Sequence, residues 1–190
     1  YLQRSRGETL AWSALALGVL EEDASNRGEV ASPESAKSLR AALEKARSFE
    51  VAGALAIALG MVRDTEAAEL LLARLNDAGD AYMRGYSALA LGMIGAHGAI
   101  EPIRQILAAS TNQSFVVENA AIALALLGDQ GTGARMLSVL TQSANPRVQS
   151  SVASAMGWTR DPRPLGDLCE MLADELLQTR YVNHINRLRE

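Results

Sequence analysis

One phrase recurs five times along this chain. It reads ALALGVL over 14–20, AIALGMVRD over 56–64, ALALGMIGA over 88–96, AIALALLGD over 121–129 and ASAMGWTRD over 153–161. Aligned, Gly18, Gly60, Gly92, Ala125 and Gly157 share one column, at steps of 42, 32, 33 and 32 residues. Self-similarity at such a period marks a stack of like units, each too small to bury its own core alone. The excess in the first step falls in EEDASNRGEVAS (21–32), a polar stretch expected to be an inter-helix loop, after which Ser32-Pro33-Glu34 reads as a helix start.

The columns tell the two helices of each unit apart. The first carries small residues: Ala14, Ala56, Ala88, Ala121 and Ala153 in one column, Ala16, Ala58, Ala90, Ala123 and Ala155 in another. Small side chains at fixed positions imply helices in close approach, where a bulky residue overpacks. The second carries two apolar columns four residues apart, hence on one face: Leu39, Leu71, Ile103, Met136 and Leu168, then Leu43, Leu75, Leu107, Leu140 and Leu172. The composition agrees: hydrophobic residues make up 48% of the 190 but aromatics only 4%, an Ala- and Leu-rich palette that favours helix over strand.

The expected fold is therefore all-α: an α-solenoid of about five helix pairs in one domain over 1–190. Its repeats are placed at about 8–47, 48–79, 80–112, 113–144 and 145–175. A terminal helix over 176–190, striped by Leu177, Tyr181, Ile185 and Leu188, is expected to cap the array.

The units resemble HEAT repeats, in the short form known from phycocyanobilin lyases. Asn145-Pro146-Arg147-Val148, followed by Ala155-Met156-Gly157 and the Arg160-Asp161-Pro162 turn, carries the resemblance best, and the likeness runs from about Glu8 to Glu175. It implies a scaffold or adaptor that binds another protein. The alternative it leaves open is a bilin-lyase-like enzyme, or an enzyme partner, acting on a chromophore-bearing protein. Deoxyhypusine hydroxylases resemble this architecture but carry His-Glu iron ligands; here His97 precedes Gly98 and His184 precedes Ile185.

Little chemistry is legible. One cysteine, Cys169, excludes an internal disulfide and any multi-cysteine metal site. Neither a catalytic residue, a metal nor a cofactor is expected. A net charge of −4 disfavours nucleic acid as partner. The longest apolar run, Val51 to Val62, falls short of the roughly 20 residues that span a bilayer. No signal-peptide pattern opens the chain, and compartment and oligomeric state stay open. Gly128 to Gly133 is glycine-rich but follows no strand and holds no Lys, so it reads as a turn.

Other positions are read by their columns. Trp158 stands with Val19, Met61, Met93 and Leu126 and is expected in the core, as is Cys169 beside Leu72 and Leu137. Trp12 and Tyr86 occupy a variable column and are expected at an exposed contact; His97 is expected in a solvated turn. The outward positions of the second helices, expected to line the concave side, are rich in carboxylates. Glu66, Glu69, Glu101, Gln105, Arg135, Asp167 and Glu170 are the candidate partner-binding residues there, for a basic protein segment drawn in by charge.

Overall fold

The computed structural model describes residues 7–30, 32–76, 79–110, 112–159 and 161–173, and the expected terminal helix over 176–190 lies outside them. The first helices are α1 (Glu8–Asn26), α3 (Phe49–Met61), α5 (Ala81–Ile94), α7 (Ser114–Leu126) and α9 (Pro146–Thr159). The second are α2 (Pro33–Lys45), α4 (Ala68–Asn76), α6 (Ile100–Ala109), α8 (Thr132–Gln142) and α10 (Leu165–Ala173). Short 3-10 turns, Thr65–Ala67 and His97–Ala99, lead into α4 and α6. The described residues contain no strand, and the chain is an α-solenoid.

The first helices form one layer, α1 on α3, α3 on α5, α5 on α7 and α7 on α9. The small-residue columns are what let them approach. A Cβ placed on Gly18 would lie 3.0 Å from the Cα of Ala58, one on Gly60 3.2 Å from that of Ala90, and one on Gly92 2.7 Å from that of Ala123. Each glycine thus receives the backbone of the next first helix. Among the described residues the columns are uncovered at both ends: Ala16 is exposed at one, and at the other Ala153 is exposed and Gly157 has no neighbour within 4 Å.

The second helices form the other layer, each seated on the next first helix, as α4 is on α5, α6 on α7 and α8 on α9. Between the layers lies the core. Leu39, Leu71, Ile103 and Met136, with Leu43, Leu75 and Leu107, are fully buried, each such side chain contributing about 1.5–3 kcal/mol. Leu172 departs from its column and is 69% exposed.

The first half of the loop expected over 21–32 is helix instead. α1 continues to Asn26, since nothing in Glu21–Asn26 breaks a helix. It stops at Gly28, whose φ of 83° is the left-handed value that suits glycine, with the Glu29 N–H donating to the Ala24 carbonyl. The extension brings Glu21 to the start of α2, where its carboxylate accepts from the Ser32 N–H (2.9 Å) and the Ser35 hydroxyl. Ser32 makes no side-chain cap itself; Glu21 instead fixes its N–H and so the entry into α2.

Candidate functional site

Turns on one edge of the array hold its strongest polar geometry. Arg40 on α2 reaches Asp64 (Nη1–Oδ2, 2.5 Å) and Glu66 (Nη2–Oε2, 2.7 Å) in the turn after α3. Arg104 on α6 repeats this, with Nε donating to Asp129 Oδ2 at 3.1 Å and Nη1 to Glu101 Oε2 at 3.2 Å. Asp129 also accepts from the Thr132 hydroxyl and from the Gly131 N–H. Burial pushes its carboxyl upward, but Arg104, Thr132 and Gly131 together outweigh that and hold it at about 2, below its ordinary 3.8. Asp161 is lowered by Arg163, although burial opposes the shift.

Two surface clefts sit beside such turns. One, of 430 Å³, lies between Gly128–Gln130 and Asp161–Arg163. The other, of 410 Å³, is lined by Arg47, Phe49, Arg74 and Asp80 among others. Several of their charged groups are already engaged: Asp129 with Arg104, Asp161 with Arg163, Arg74 with the Leu43 carbonyl (3.0 Å), and Asp80 as the cap accepting from the Tyr82 N–H (2.8 Å). Among the described residues no group of acidic, His and Cys side chains could hold a metal, and no helix is long and apolar enough to cross a membrane.

The seven residues singled out on the second helices and their turns, Glu66, Glu69, Glu101, Gln105, Arg135, Asp167 and Glu170, are all exposed. They do not form one uniformly acidic surface. Glu66 and Glu101 are paired with Arg40 and Arg104, while Glu69, Asp167 and Glu170 have no ion pair among the described residues. The arginines were not foreseen, although the alignment holds their signal. Their column reads Arg40, Leu72, Arg104, Leu137, Cys169, and the following turns read Asp64, Ala96, Asp129, Asp161. Arg precedes Asp in the first and third steps, and Leu precedes Ala in the second.

The outer face of the first helices is of the opposite kind. Two rows cross it, one of Leu15, Ile57, Leu89, Ile122 and Ser154, the other of Val19, Met61, Met93, Leu126 and Trp158, with no charge among them. Val19 is 53%, Leu126 56% and Trp158 70% exposed. Trp158 is therefore not a core residue: its column is apolar but faces outward, with Met61 and Met93 lying back over Gly18 and Gly60. Cys169, also expected to be buried, is exposed. Trp12 is exposed as expected, and His97 is exposed in its turn.

Beside these rows runs an aromatic ladder. Phe49 stacks on Tyr82 (centroids 5.6 Å apart), and Phe115 packs at 5.0 Å against both Tyr82 and Tyr86. Tyr86 is half-buried rather than free, lying over Gly53 as Phe115 lies over Gly85.

Residues 36–125, from α2 into α7, match the family described as HEAT repeats. No curated protein matches the chain.

Proposed function

We propose that this HEAT-repeat solenoid is a protein-binding scaffold, and that the second-helix face, the side expected to be concave, is where it takes a basic protein segment. The observation that carries the reading is the exposure of Glu69, Asp167 and Glu170 on that face without any ion pair among the described residues. Unpaired carboxylates on a rigid surface attract a cationic partner and speed its encounter, while contributing less to the final affinity. Glu66 and Glu101 take a smaller share, because Arg40 and Arg104 already offset their charge. Gln105 and the cation of Arg135 add polar contacts that select among basic sequences. The spacing of 32 to 33 residues supports placing the units with the short, lyase-type repeats, and HEAT repeats commonly serve as interaction scaffolds.

The test is fluorescence anisotropy with a labelled lysine-rich peptide at low and high salt. Wild type should bind it in a salt-dependent way, and the triple variant Glu69→Lys/Asp167→Lys/Glu170→Lys, which leaves both arginine clasps intact, should bind at least tenfold more weakly. Equal binding by the two proteins rejects the site. Binding of a free bilin with a visible colour change, in place of peptide binding, would favour the lyase-like alternative.

A further inference from the structure

The α1 and α9 ends of the described array are unlike. On α3, α5, α7 and α9 the side turned toward the preceding unit buries Val51, Met83, Val116 and Val148 in one column. A second column four residues on buries Leu55, Ser87, Ala120 and Val152. On α1 these columns hold Thr9 and Ser13, and the Ser13 hydroxyl donates to the Thr9 carbonyl at 2.7 Å. A polar outer side of this kind suits water. The far side of α9 keeps the small residues of an internal seam instead, with Ala153 and Gly157 both exposed. On α10, Leu168 is only half-buried where Leu39, Leu71, Ile103 and Met136 are fully buried. Within the array, a face like this is covered by the next first helix.

We propose that the chain's own residues 176–190 cover the α9–α10 face as a sixth first helix, in a register that the repeat dictates. A step of 33 residues, the one that separates α5 from α7, carries Val148, Val152 and Ala155 onto Tyr181, Ile185 and Leu188. These three are apolar and spaced four and three apart, so a helix places them on one face. A step of 32 would bring Arg180, His184 and Arg187 to the core instead, which decides between the two steps. The same step of 33 carries Ala153 onto Asn186 and Gly157 onto Glu190. The segment therefore has an apolar side for α9 and α10 and a polar side for water, the counterpart of Thr9 and Ser13 at the other end.

Leu188 stands in the column of Ala58, Ala90 and Ala123, whose Cα atoms lie against Gly18, Gly60 and Gly92. The segment thus sets Leu188 over Gly157. A leucine there holds the two backbones further apart than an alanine does, and leaves room for a methyl on Gly157. Docked in this way, the segment seats α10 as α5 seats α4 and α9 seats α8. It also fixes the helix that carries Asp167 and Glu170.

Disulfide trapping in the full 190-residue chain, with Cys169 replaced by Ala, tests the contact. Under mild oxidation Gly157→Cys/Leu188→Cys should close an intramolecular disulfide, because the seam brings the two Cβ atoms within the roughly 4 Å that such a bond needs. It should do so at least tenfold faster than Gly157→Cys/Asn186→Cys, whose second cysteine lies on the polar side. Mass spectrometry of the non-reduced monomer reads the bond. Equal rates for the two pairs, or no bond in either, overturn the proposal. A bond between two chains overturns it as well, by giving the face to a second copy. A separate check keeps the native cysteine: Ile185→Asp should lower the melting temperature, and Asn186→Asp should leave it unchanged. The reverse order, or no change with either, overturns the register.

Discussion

Arg104 and Asp129 close a clasp between the third repeat and the turn of the fourth that Arg40 and Asp64 close between the first and second. At the step between them the same positions are Leu72 and Ala96, both half-buried and packed on the core. Two solutions to one contact thus stand side by side. Replacing Arg104 with Leu leaves the Asp129 carboxylate, whose side chain is only 4% exposed, without its cation and should cost about 1–3 kcal/mol. Arg104→Leu/Asp129→Ala copies the Leu72–Ala96 pair and should recover most of that loss. Urea denaturation of the two variants beside wild type checks both halves.

The same carboxylate gives the stability a pH dependence. Its folded pKa of about 2 lies below the ordinary 3.8, so the unfolded chain binds the proton more readily. The stabilisation is complete above about pH 4, worth about 2 kcal/mol, and is lost as pH falls through about 2. Thermal melts of wild type and Asp129→Asn between pH 7 and pH 2 should converge at the acid end; a constant gap would contradict the assignment.

Glycines in one column should respond oppositely to alanine. Gly92→Ala forces a methyl to 2.7 Å from the Ala123 backbone and should cost about 1–3 kcal/mol by overpacking. Gly157→Ala meets nothing within 4 Å among the described residues and should gain about 0.5–1 kcal/mol from helix propensity. Melting temperatures that move in the same direction would refute the seam.

Arg63 closes α3 with a φ of 55°, where the equivalent residues after α5 and α7 are Gly95 and Gly128. The Asp64 N–H donates to the Leu59 carbonyl at 3.1 Å, as Ala96 does to Leu91 and Asp129 to Leu124. A side chain in the left-handed region costs about 1–2 kcal/mol, partly offset by the greater entropy of unfolded glycine. Arg63→Gly should therefore stabilise by about 0.5–1 kcal/mol, while Arg63→Ala, still left-handed, should not.

Ser87 sits fully buried, and its hydroxyl has no hydrogen-bond partner among the described residues. Its column otherwise holds Ser13, whose hydroxyl donates to the Thr9 carbonyl, and the apolar Leu55, Ala120 and Val152. An unsatisfied buried hydroxyl costs about 1–3 kcal/mol, so Ser87→Ala should raise the melting temperature. A lower one would point to a bond that this hydroxyl makes in solution.

The pairing of helices, their seams and their core were legible because each rests on a pattern that repeats. Gly60 and Gly92 advertise close approach, and Leu71, Ile103 and Leu107 a buried stripe, through columns that chance would not align. The candidate site was legible only as a set of exposed charges. That Glu66 is offset while Glu69 is not depends on Arg40, 26 residues away and brought to it only by the packing of one repeat on the next, whereas Glu101 meets Arg104 by plain i,i+3 helical spacing. The α1 extension was hidden for a related reason: EEDASN is polar, but polarity alone does not end a helix, and Gly28 does.

By itself the sequence determined the unit, its period and which helix of each pair carries the close seams, since periodic small and apolar residues dictate which surfaces repeat from one unit to the next. Tertiary structure alone decided which apolar columns are covered. Met136 and Trp158 are equally hydrophobic in a list of residues, yet the first lies between two layers and the second faces water. Burial belongs to the neighbour as much as to the side chain, and a neighbour is supplied only when distant repeats are brought together in space.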